Sequence, residues 1–122
     1  MKKLLFILLV SALSATAHAQ LANTKWKVTL KLDNPVDAVF EFGKDTLTVT
    51  AAADGSTIET MVYSVKDNIL TIQKTSGQSD CETSTIGKYK FEKKGTSLLV
   101  TVVSDDCTDR GPVLDGTTWE KG

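Results

Sequence analysis

The sequence predicts an all-β protein, a single small antiparallel up-and-down β-barrel of about eight strands that is cross-linked by one disulfide. Three observations lead to this prediction. Hydrophobic and polar residues alternate with a period of two, and no segment has the spacing of an amphipathic helix. Short turn sequences separate the alternating runs, so successive strands are expected to be neighbours. The two cysteines, Cys81 and Cys107, flank the arms of one hairpin.

Turn signals divide the chain into strands. The dipeptide Asp54-Gly55 is a strong hairpin turn, and Lys66, Asp67 and Asn68 form another turn. The predicted strands are residues 26–32, 37–42, 45–52, 57–65, 69–74, 86–93, 97–103 and 113–120. A sheet with this number of strands can close into a barrel and lose its edges.

The alternation also predicts which side chains point into the barrel. The inward residues expected in the first three strands are Trp26, Val28, Leu30, Leu32, Phe40, Phe42, Leu47, Val49 and Ala51. The fourth strand is ambiguous because both of its faces carry apolar residues. We expect Glu59 to face solvent. The alternative places Glu59, Met61 and Tyr63 in the lumen, where they would form an apolar pocket with polar anchors.

The late hairpin predicts a disulfide. A turn at Lys94 and Gly95 would place Cys81 opposite Cys107. Antiparallel neighbours have Cα atoms roughly 4.5–5.5 Å apart, which lies within the range that a disulfide requires. We therefore predict a Cys81–Cys107 bridge that contributes on the order of 3 kcal/mol to stability.

Residues 1–19 have the pattern of a secretory signal peptide. Lys2 and Lys3 precede an apolar run, and a small-x-small cleavage site ends at Ala19. The run is too short to span a membrane. We expect residues 20–122 to form one exported, soluble domain, periplasmic or extracellular, with no membrane span after removal of the signal. A disulfide persists in such compartments.

Removal of the signal would leave a chain without histidine, because His18 is the one histidine of the sequence. Ser-His-Asp and Cys-His catalysis would then be excluded, along with histidine-ligated metal sites. A disulfide would also remove both thiolates. We therefore expect that the protein is not an enzyme and needs no cofactor and no metal.

The charge of the chain argues against nucleic acid as a partner. The full sequence has a net charge of −1, and loss of Lys2 and Lys3 makes the remaining domain more acidic. It has no basic run, and aromatic residues make up 7% of the sequence. We expect a monomer that does not bind nucleic acid.

Acidic residues surround the predicted disulfide. They are Asp80, Glu82, Asp105, Asp106 and Asp109. Their spacing matches no EF-hand loop, so we interpret them as solvated surface charge, with Arg110 pairing one of them. The alternative is a Ca²⁺ site at this end of the barrel.

Three segments resemble those of the small lipocalin-like (calycin) domains of exported bacterial proteins. They are 21–26 (LANTKW), 86–89 (IGKY) and 105–110 (DDCTDR), the last followed by a strand with Trp119. The resemblance covers nearly all of the predicted domain. Trp26 matches the tryptophan of the family's Gly-x-Trp opening, although the glycine does not match. The resemblance implies a ligand-binding barrel in which a late arginine, here Arg110, packs over that tryptophan.

Large side chains expected in the lumen or at its rim are the candidates for ligand binding. They are Trp26, Phe40, Phe42, Met61, Tyr63, Tyr89, Phe91, Arg110 and Trp119. For Trp26 and Trp119, which lie on the first and last strands, core packing at the barrel closure is the main interpretation. An aromatic wall for a ligand is the alternative.

Two functions fit these observations. The first is an exported lipocalin-like binding protein for a small apolar or amphipathic ligand, without catalytic activity. The alternative is a protein-interaction module or inhibitor in the cell envelope, which contacts an envelope protein through the loops at the disulfide-linked end. A lumen cavity of roughly 300 Å³ or more, lined by Phe40, Phe42, Tyr89 and Phe91, favours the first. A packed interior with an exposed apolar patch at the mouth favours the second.

Overall fold

Eight antiparallel strands pair in chain order and the last pairs with the first, so that the sheet closes into a barrel. The structure is a computed structural model that describes residues 21–122; the predicted signal peptide (1–19) and Gln20 lie outside the described residues. Its elements are β1 (Thr24–Leu30), β2 (Val36–Phe42), β3 (Thr46–Ala51), β4 (Thr57–Lys66), β5 (Ile69–Gly77), β6 (Ile86–Lys94), β7 (Ser97–Asp105), α1 (Gly111–Leu114) and β8 (Thr117–Lys121). The predicted fold class is confirmed.

Alternate residues of each strand are buried, because side chains fill the interior of a barrel of this size. In β1 the buried residues are Trp26, Val28 and Leu30, as predicted. Leu32 is 45% exposed, and its predicted inward position is wrong. The backbone N–H of Leu32 donates to the carbonyl of Leu30 at 2.9 Å, so the chain turns there and β1 ends. Ala51, also predicted to face inward, is only half-buried.

The inner face of β4 carries Glu59, Met61 and Tyr63. Glu59 is 6% exposed, so the expectation that it faces solvent is wrong and the alternative orientation is confirmed. The neighbouring strand explains this burial. In β5, Lys74 pairs with Met61, and its Nζ lies 3.7 Å from Oε1 of Glu59. A buried carboxylate is tolerated when a cation compensates its charge.

The β6–β7 turn differs from the prediction. Lys94 pairs with Ser97, so the two turn residues are Gly95 and Thr96 rather than Lys94 and Gly95. Gly95 has a φ of 64°, a left-handed conformation that glycine adopts without strain. The conformational freedom of Gly95 therefore determines where the hairpin turns.

The segment before β8 is helical, whereas the sequence predicted a strand from residue 113. Gly111–Leu114 forms α1, with Pro112 in its first turn, where the missing N–H of proline costs no hydrogen bond. Gly116, with a φ of 76°, then turns the chain into β8. No helix among residues 21–122 is long and apolar enough to cross a membrane.

The connections alternate between the two ends of the barrel. We call "the mouth" the end formed by the connections 31–35, 52–56, 78–85 and 106–116, and "the base" the opposite end with the tight turns. The predicted disulfide lies at the mouth. The Cα atoms of its two cysteines are 5.5 Å apart, which confirms the pairing of Cys81 with Cys107.

Candidate functional site

A cavity of about 300 Å³ lies at the mouth. Its apolar walls include Leu30 of β1, Phe40 of β2, Val49 of β3, Met61 of β4 and Leu114 of α1. These residues come from different elements that meet only in the closed barrel. The volume is at the lower end of the range for small-molecule sites.

A buried ion pair between Arg110 and Asp105 borders this cavity. Nε of Arg110 donates to Oδ2 of Asp105 at 2.7 Å, and Nη2 donates to Oδ1 at 2.8 Å. The two side chains are 5% and 2% exposed. Asp105 also accepts hydrogen bonds from the Tyr89 hydroxyl and from the backbone N–H of Cys107. One carboxylate therefore links β6, β7 and the disulfide segment to Arg110.

The ion pair determines the protonation of its neighbours. Burial lowers the pKa of Arg110, but hydrogen bonds and charge attraction from Asp105 outweigh burial, and the pKa of Arg110 is raised overall. Burial, together with the hydrogen bond to Asp105, raises the pKa of Tyr89 far above its ordinary value of 10.0. At neutral pH the arginine is therefore charged and the tyrosine is neutral.

One of the three guanidinium nitrogens of Arg110 has no hydrogen-bond partner in the part of the chain that the structure describes. Nη2 donates also to the carbonyl of Thr85 at 3.1 Å. Nη1 is buried and has no hydrogen-bond partner among residues 21–122. Because the guanidinium is planar and Nε and Nη2 are turned toward Asp105, Nη1 lies on the side away from that carboxylate. Arg110 is part of the cavity wall, whereas Nη1 itself is inaccessible to solvent.

A second buried ion pair, between Glu59 and Lys74, anchors the loop that forms one wall of the cavity. Nζ of Lys74 donates to the carbonyls of Ser79 and Cys81 at 2.8 and 2.6 Å. The hydroxyl of Ser79 donates to Oε1 of Glu59. The loop is thus held to β4 and β5 by polar contacts and to the segment after β7 by the disulfide.

A second cavity, of about 410 Å³, lies at the base. Its apolar lining includes Trp26, Phe91 and Leu98. The charged residues that line it, Lys93 and Lys121, are exposed. The lining of the mouth cavity, by contrast, also includes the buried charged residues Glu59 and Arg110.

The structure divides the nine predicted ligand-binding residues among three places. Phe40, Met61 and Arg110 line the mouth cavity. Trp26 and Phe91 line the base cavity at the opposite end. The other four, Phe42, Tyr63, Tyr89 and Trp119, are buried in the core. The barrel therefore does not bring all nine into one site, and the ligand-binding role of each stays a prediction.

Aromatic contacts fill the middle of the barrel. The ring centroid of Trp119 lies 4.8 Å from that of Phe40 and 6.1 Å from that of Phe42. Phe42 makes an edge-to-face contact with Tyr63 at 4.9 Å. Such contacts support the interpretation of Trp119 as a core residue at the barrel closure.

Trp26 and Arg110 lie at opposite ends of the barrel. The indole N–H of Trp26 donates to Oγ1 of Thr24 at 2.9 Å, close to the start of β1 at the base. Arg110 lies beside the disulfide at the mouth. The packing of Arg110 over Trp26, which the family resemblance implied, is therefore wrong.

Lys74 and Leu114 belong to the site but were not predicted for it. The alternation in the predicted fifth strand indicates that Lys74 points inward, because Leu70, Ile72 and Lys74 occupy every second position and all three are buried. The sequence predicted a strand at Leu114. The alternation of apolar and polar residues therefore could not indicate that Leu114 lines the cavity from a helix. Lys74 holds loop 78–85 in place, and Leu114 forms part of the cavity wall.

Of the five acidic residues near the disulfide, one has a buried and paired side chain. Asp105 binds Arg110, whereas the other four are exposed, as expected for solvated surface charge. Within residues 21–122 no group of three or more His, Cys, Asp or Glu side chains is placed to hold a metal ion. The Ca²⁺ alternative thus has no ligand set in the part of the chain that the structure describes.

Comparisons with known proteins find no relative: no protein-family model, no curated protein and no solved structure matches the chain. The mouth cavity and its two buried ion pairs are therefore the basis for assigning a function.

Proposed function

We propose that the protein is a non-catalytic binding protein, a lipocalin-like barrel that holds one small apolar or amphipathic ligand in the mouth cavity. The observation that carries this proposal is the cavity of about 300 Å³ with apolar walls. Small-molecule sites are concave and mostly apolar, with a few fixed polar groups that orient the ligand. Here Glu59 and Arg110, both 6% exposed, supply those groups.

The wall formed by loop 78–85 is held in place before any ligand arrives. The disulfide fixes Cys81, and Lys74 binds the carbonyls of Ser79 and Cys81. A preformed wall lowers the entropy that is lost on binding. This anchoring supports a binding role for the mouth rather than a purely structural one.

Export to an oxidising compartment is part of the proposal. Its support is the signal-peptide pattern of residues 1–19 together with the disulfide between Cys81 and Cys107. Disulfides form and persist in the periplasm and outside the cell.

Native mass spectrometry of the protein purified from its own cell envelope tests the proposal. We expect a co-purifying small molecule. The variant Ile58→Trp, which fills the cavity from its wall, should lose that molecule. Its control, Val103→Trp, places the same ring at a position that is 56% exposed and should retain it.

Two outcomes would contradict the proposal. If a protein co-purifies in stoichiometric amount and no small molecule is found, the alternative function as an interaction module or inhibitor is favoured. If Ile58→Trp retains the small molecule as well as Val103→Trp does, the ligand does not bind in the mouth cavity.

A further inference from the structure

We infer that the ligand of the mouth cavity is an amphipathic cation, an amine with an apolar body, whose ammonium group donates to the carboxylate of Glu59. The inference rests on the proposed function and names its ligand class. Glu59 lies on the inner face of β4 and lines the cavity, and its side chain is 7% exposed. A polar group in a mostly apolar wall is what fixes the orientation of a small ligand.

The protein itself uses one oxygen of this carboxylate. Oε1 of Glu59 accepts a hydrogen bond from the hydroxyl of Ser79. Nζ of Lys74 lies 3.7 Å from Oε1, which is too long for a hydrogen bond, and it donates instead to two backbone carbonyls. Oε2 accepts no hydrogen bond from residues 21–122. A carboxylate can accept about four hydrogen bonds, so Glu59 has acceptor capacity left for a ligand.

Oε2 of Glu59 is also open to solvent. Among residues 21–122, Nη1 of Arg110 is the one side-chain nitrogen or oxygen that is both fully buried and unpaired. Oε2 is unpaired and is not that atom, so it retains accessible surface. Glu59 points into a closed barrel and lines the mouth cavity but not the base cavity. The accessible surface of Oε2 is therefore reached through the mouth.

The charges around the cavity favour a cation. Two exposed aspartates, Asp80 and Asp109, line it together with Glu59. Arg110 is the one basic residue in the described lining, and Asp105 compensates its charge. An ammonium group that enters the cavity is therefore attracted by carboxylates, whereas a carboxylate would be repelled.

The connections at the mouth extend this negative charge beyond the cavity. Together the four connections carry seven carboxylate side chains and two basic ones, Lys31 and Arg110. Nζ of Lys31 donates to the backbone carbonyl of Asp115 at 2.9 Å. An excess of one sign of charge around a cleft raises the local concentration of ions of the opposite sign and speeds their association. The mouth should thus attract cations from solution.

The volume limits the size of the apolar body. At roughly 30 Å³ for each water-sized group, a cavity of about 300 Å³ has room for roughly ten such groups. A single ring with a short amine-bearing substituent fits this space.

Nuclear magnetic resonance titration of the ¹⁵N-labelled protein with four benzene derivatives of similar size tests the inference. Benzylammonium is a cation, benzyl alcohol is a neutral donor, ethylbenzene has no donor and benzoate is an anion. We expect benzylammonium to bind most tightly, by roughly tenfold over ethylbenzene, because its hydrogen bond to the carboxylate is charge-assisted. The backbone amide resonances of Glu59 and Ser79 should shift during the benzylammonium titration.

The other outcomes contradict distinct statements. If benzyl alcohol or ethylbenzene binds as tightly as benzylammonium, the charge of Glu59 does not select the ligand, and the inference fails while the proposed function stands. Tightest binding of benzoate would replace the cation by an anion. If none of the four compounds binds at millimolar concentration, the proposed function fails as well.

The variant Glu59→Gln tests the acceptor directly, because it keeps the shape of the side chain and removes its charge. It should lower the affinity for benzylammonium roughly tenfold and leave the affinity for ethylbenzene unchanged. Unchanged binding of benzylammonium would show that Glu59 is not the acceptor.

A second test does not disturb the buried ion pair, in case Glu59→Gln does not fold. The double variant Asp80→Asn and Asp109→Asn removes two exposed carboxylates from the cavity lining and should weaken benzylammonium binding severalfold. The matched control, Glu82→Gln and Asp106→Asn, removes the same charge from exposed residues of the same two connections that do not line the cavity, and should have the smaller effect. Equal affinities of the two double variants for benzylammonium would contradict a cation bound beside Asp80 and Asp109.

Discussion

Asp105 accepts two hydrogen bonds from the guanidinium of Arg110, at 2.7 and 2.8 Å, in an environment where both side chains are almost completely buried. The same carboxylate accepts from the Tyr89 hydroxyl and from the backbone N–H of Cys107. Four hydrogen bonds from three residues therefore depend on one negative charge. This makes Asp105 the residue whose removal should disturb the mouth most.

Asp105→Asn should lower the free energy of unfolding by about 3–5 kcal/mol, because it leaves the charge of Arg110 buried and uncompensated. Urea unfolding monitored by circular dichroism measures the change. The control is Asp106→Asn, since Asp106 is the next residue, also an aspartate, and exposed. Equal stability of the two variants would contradict the importance of the ion pair.

Gly87→Ala should also destabilise the protein, by about 1–3 kcal/mol, because its methyl group does not fit. A Cβ at position 87 would lie 2.5 Å from Oδ2 of Asp105 and 3.0 Å from Nη2 of Arg110. The matched control is Gly111→Ala, whose Cβ would lie 3.6 Å from Cβ of Asp105, an ordinary contact. Thermal unfolding of both variants tests this, and a Gly87→Ala protein as stable as the Gly111→Ala protein would refute the close packing.

Replacing both cysteines by alanine should lower the free energy of unfolding by about 3 kcal/mol. The bridge joins residues that are 26 positions apart and so restricts the unfolded chain. Denaturant unfolding of the Cys81→Ala and Cys107→Ala double variant gives the value. Mass analysis of the unreduced wild-type protein is the control, and two free thiols there would rule out the bridge.

The inner faces of the strands could be predicted where one face is strictly polar. In β1, Lys25, Lys27 and Thr29 are exposed between buried apolar residues, so only one orientation was possible. β4 carries apolar residues on both faces. The position of Glu59 depends on Lys74 in the neighbouring strand, and the spacing within β4 contains no information about that partner.

The composition of the cavity could not be predicted from the alternation alone. Phe40 and Phe42 point to the same side of β2, yet only Phe40 lines the mouth cavity. Their depth in the barrel depends on strand register and on loop packing. The cavity also depends on α1, because Leu114 was expected in a strand and instead reaches the lumen from a helix.

Alkaline pH should destabilise the protein through its two tyrosines. Burial raises the pKa of Tyr63 above its ordinary value of 10.0, and the charge of Asp45 raises it further. Burial and the hydrogen bond to Asp105 raise the pKa of Tyr89 above the same value. In the unfolded chain both lose their protons near pH 10, whereas the folded protein keeps them bound. Their stabilising contribution is thus complete below pH ~10 and is lost as the pH rises from there toward the pKa of the folded state, with a slope of up to about 1.4 kcal/mol per pH unit for Tyr89.

The variant Tyr89→Phe should lose part of this pH dependence, whatever its stability at neutral pH, because one of the two linked groups is gone. Urea unfolding between pH 8 and pH 11 measures the slope, and ultraviolet absorbance reports tyrosinate directly. The control is Tyr63→Phe, which removes a hydroxyl that donates to the carbonyl of Gly43 rather than to a carboxylate. We expect the larger reduction in slope for Tyr89→Phe. Tyrosinate absorbance at the ordinary pKa from the folded Tyr63→Phe protein, whose one remaining tyrosine is Tyr89, would show that the Tyr89 hydroxyl is not held by Asp105.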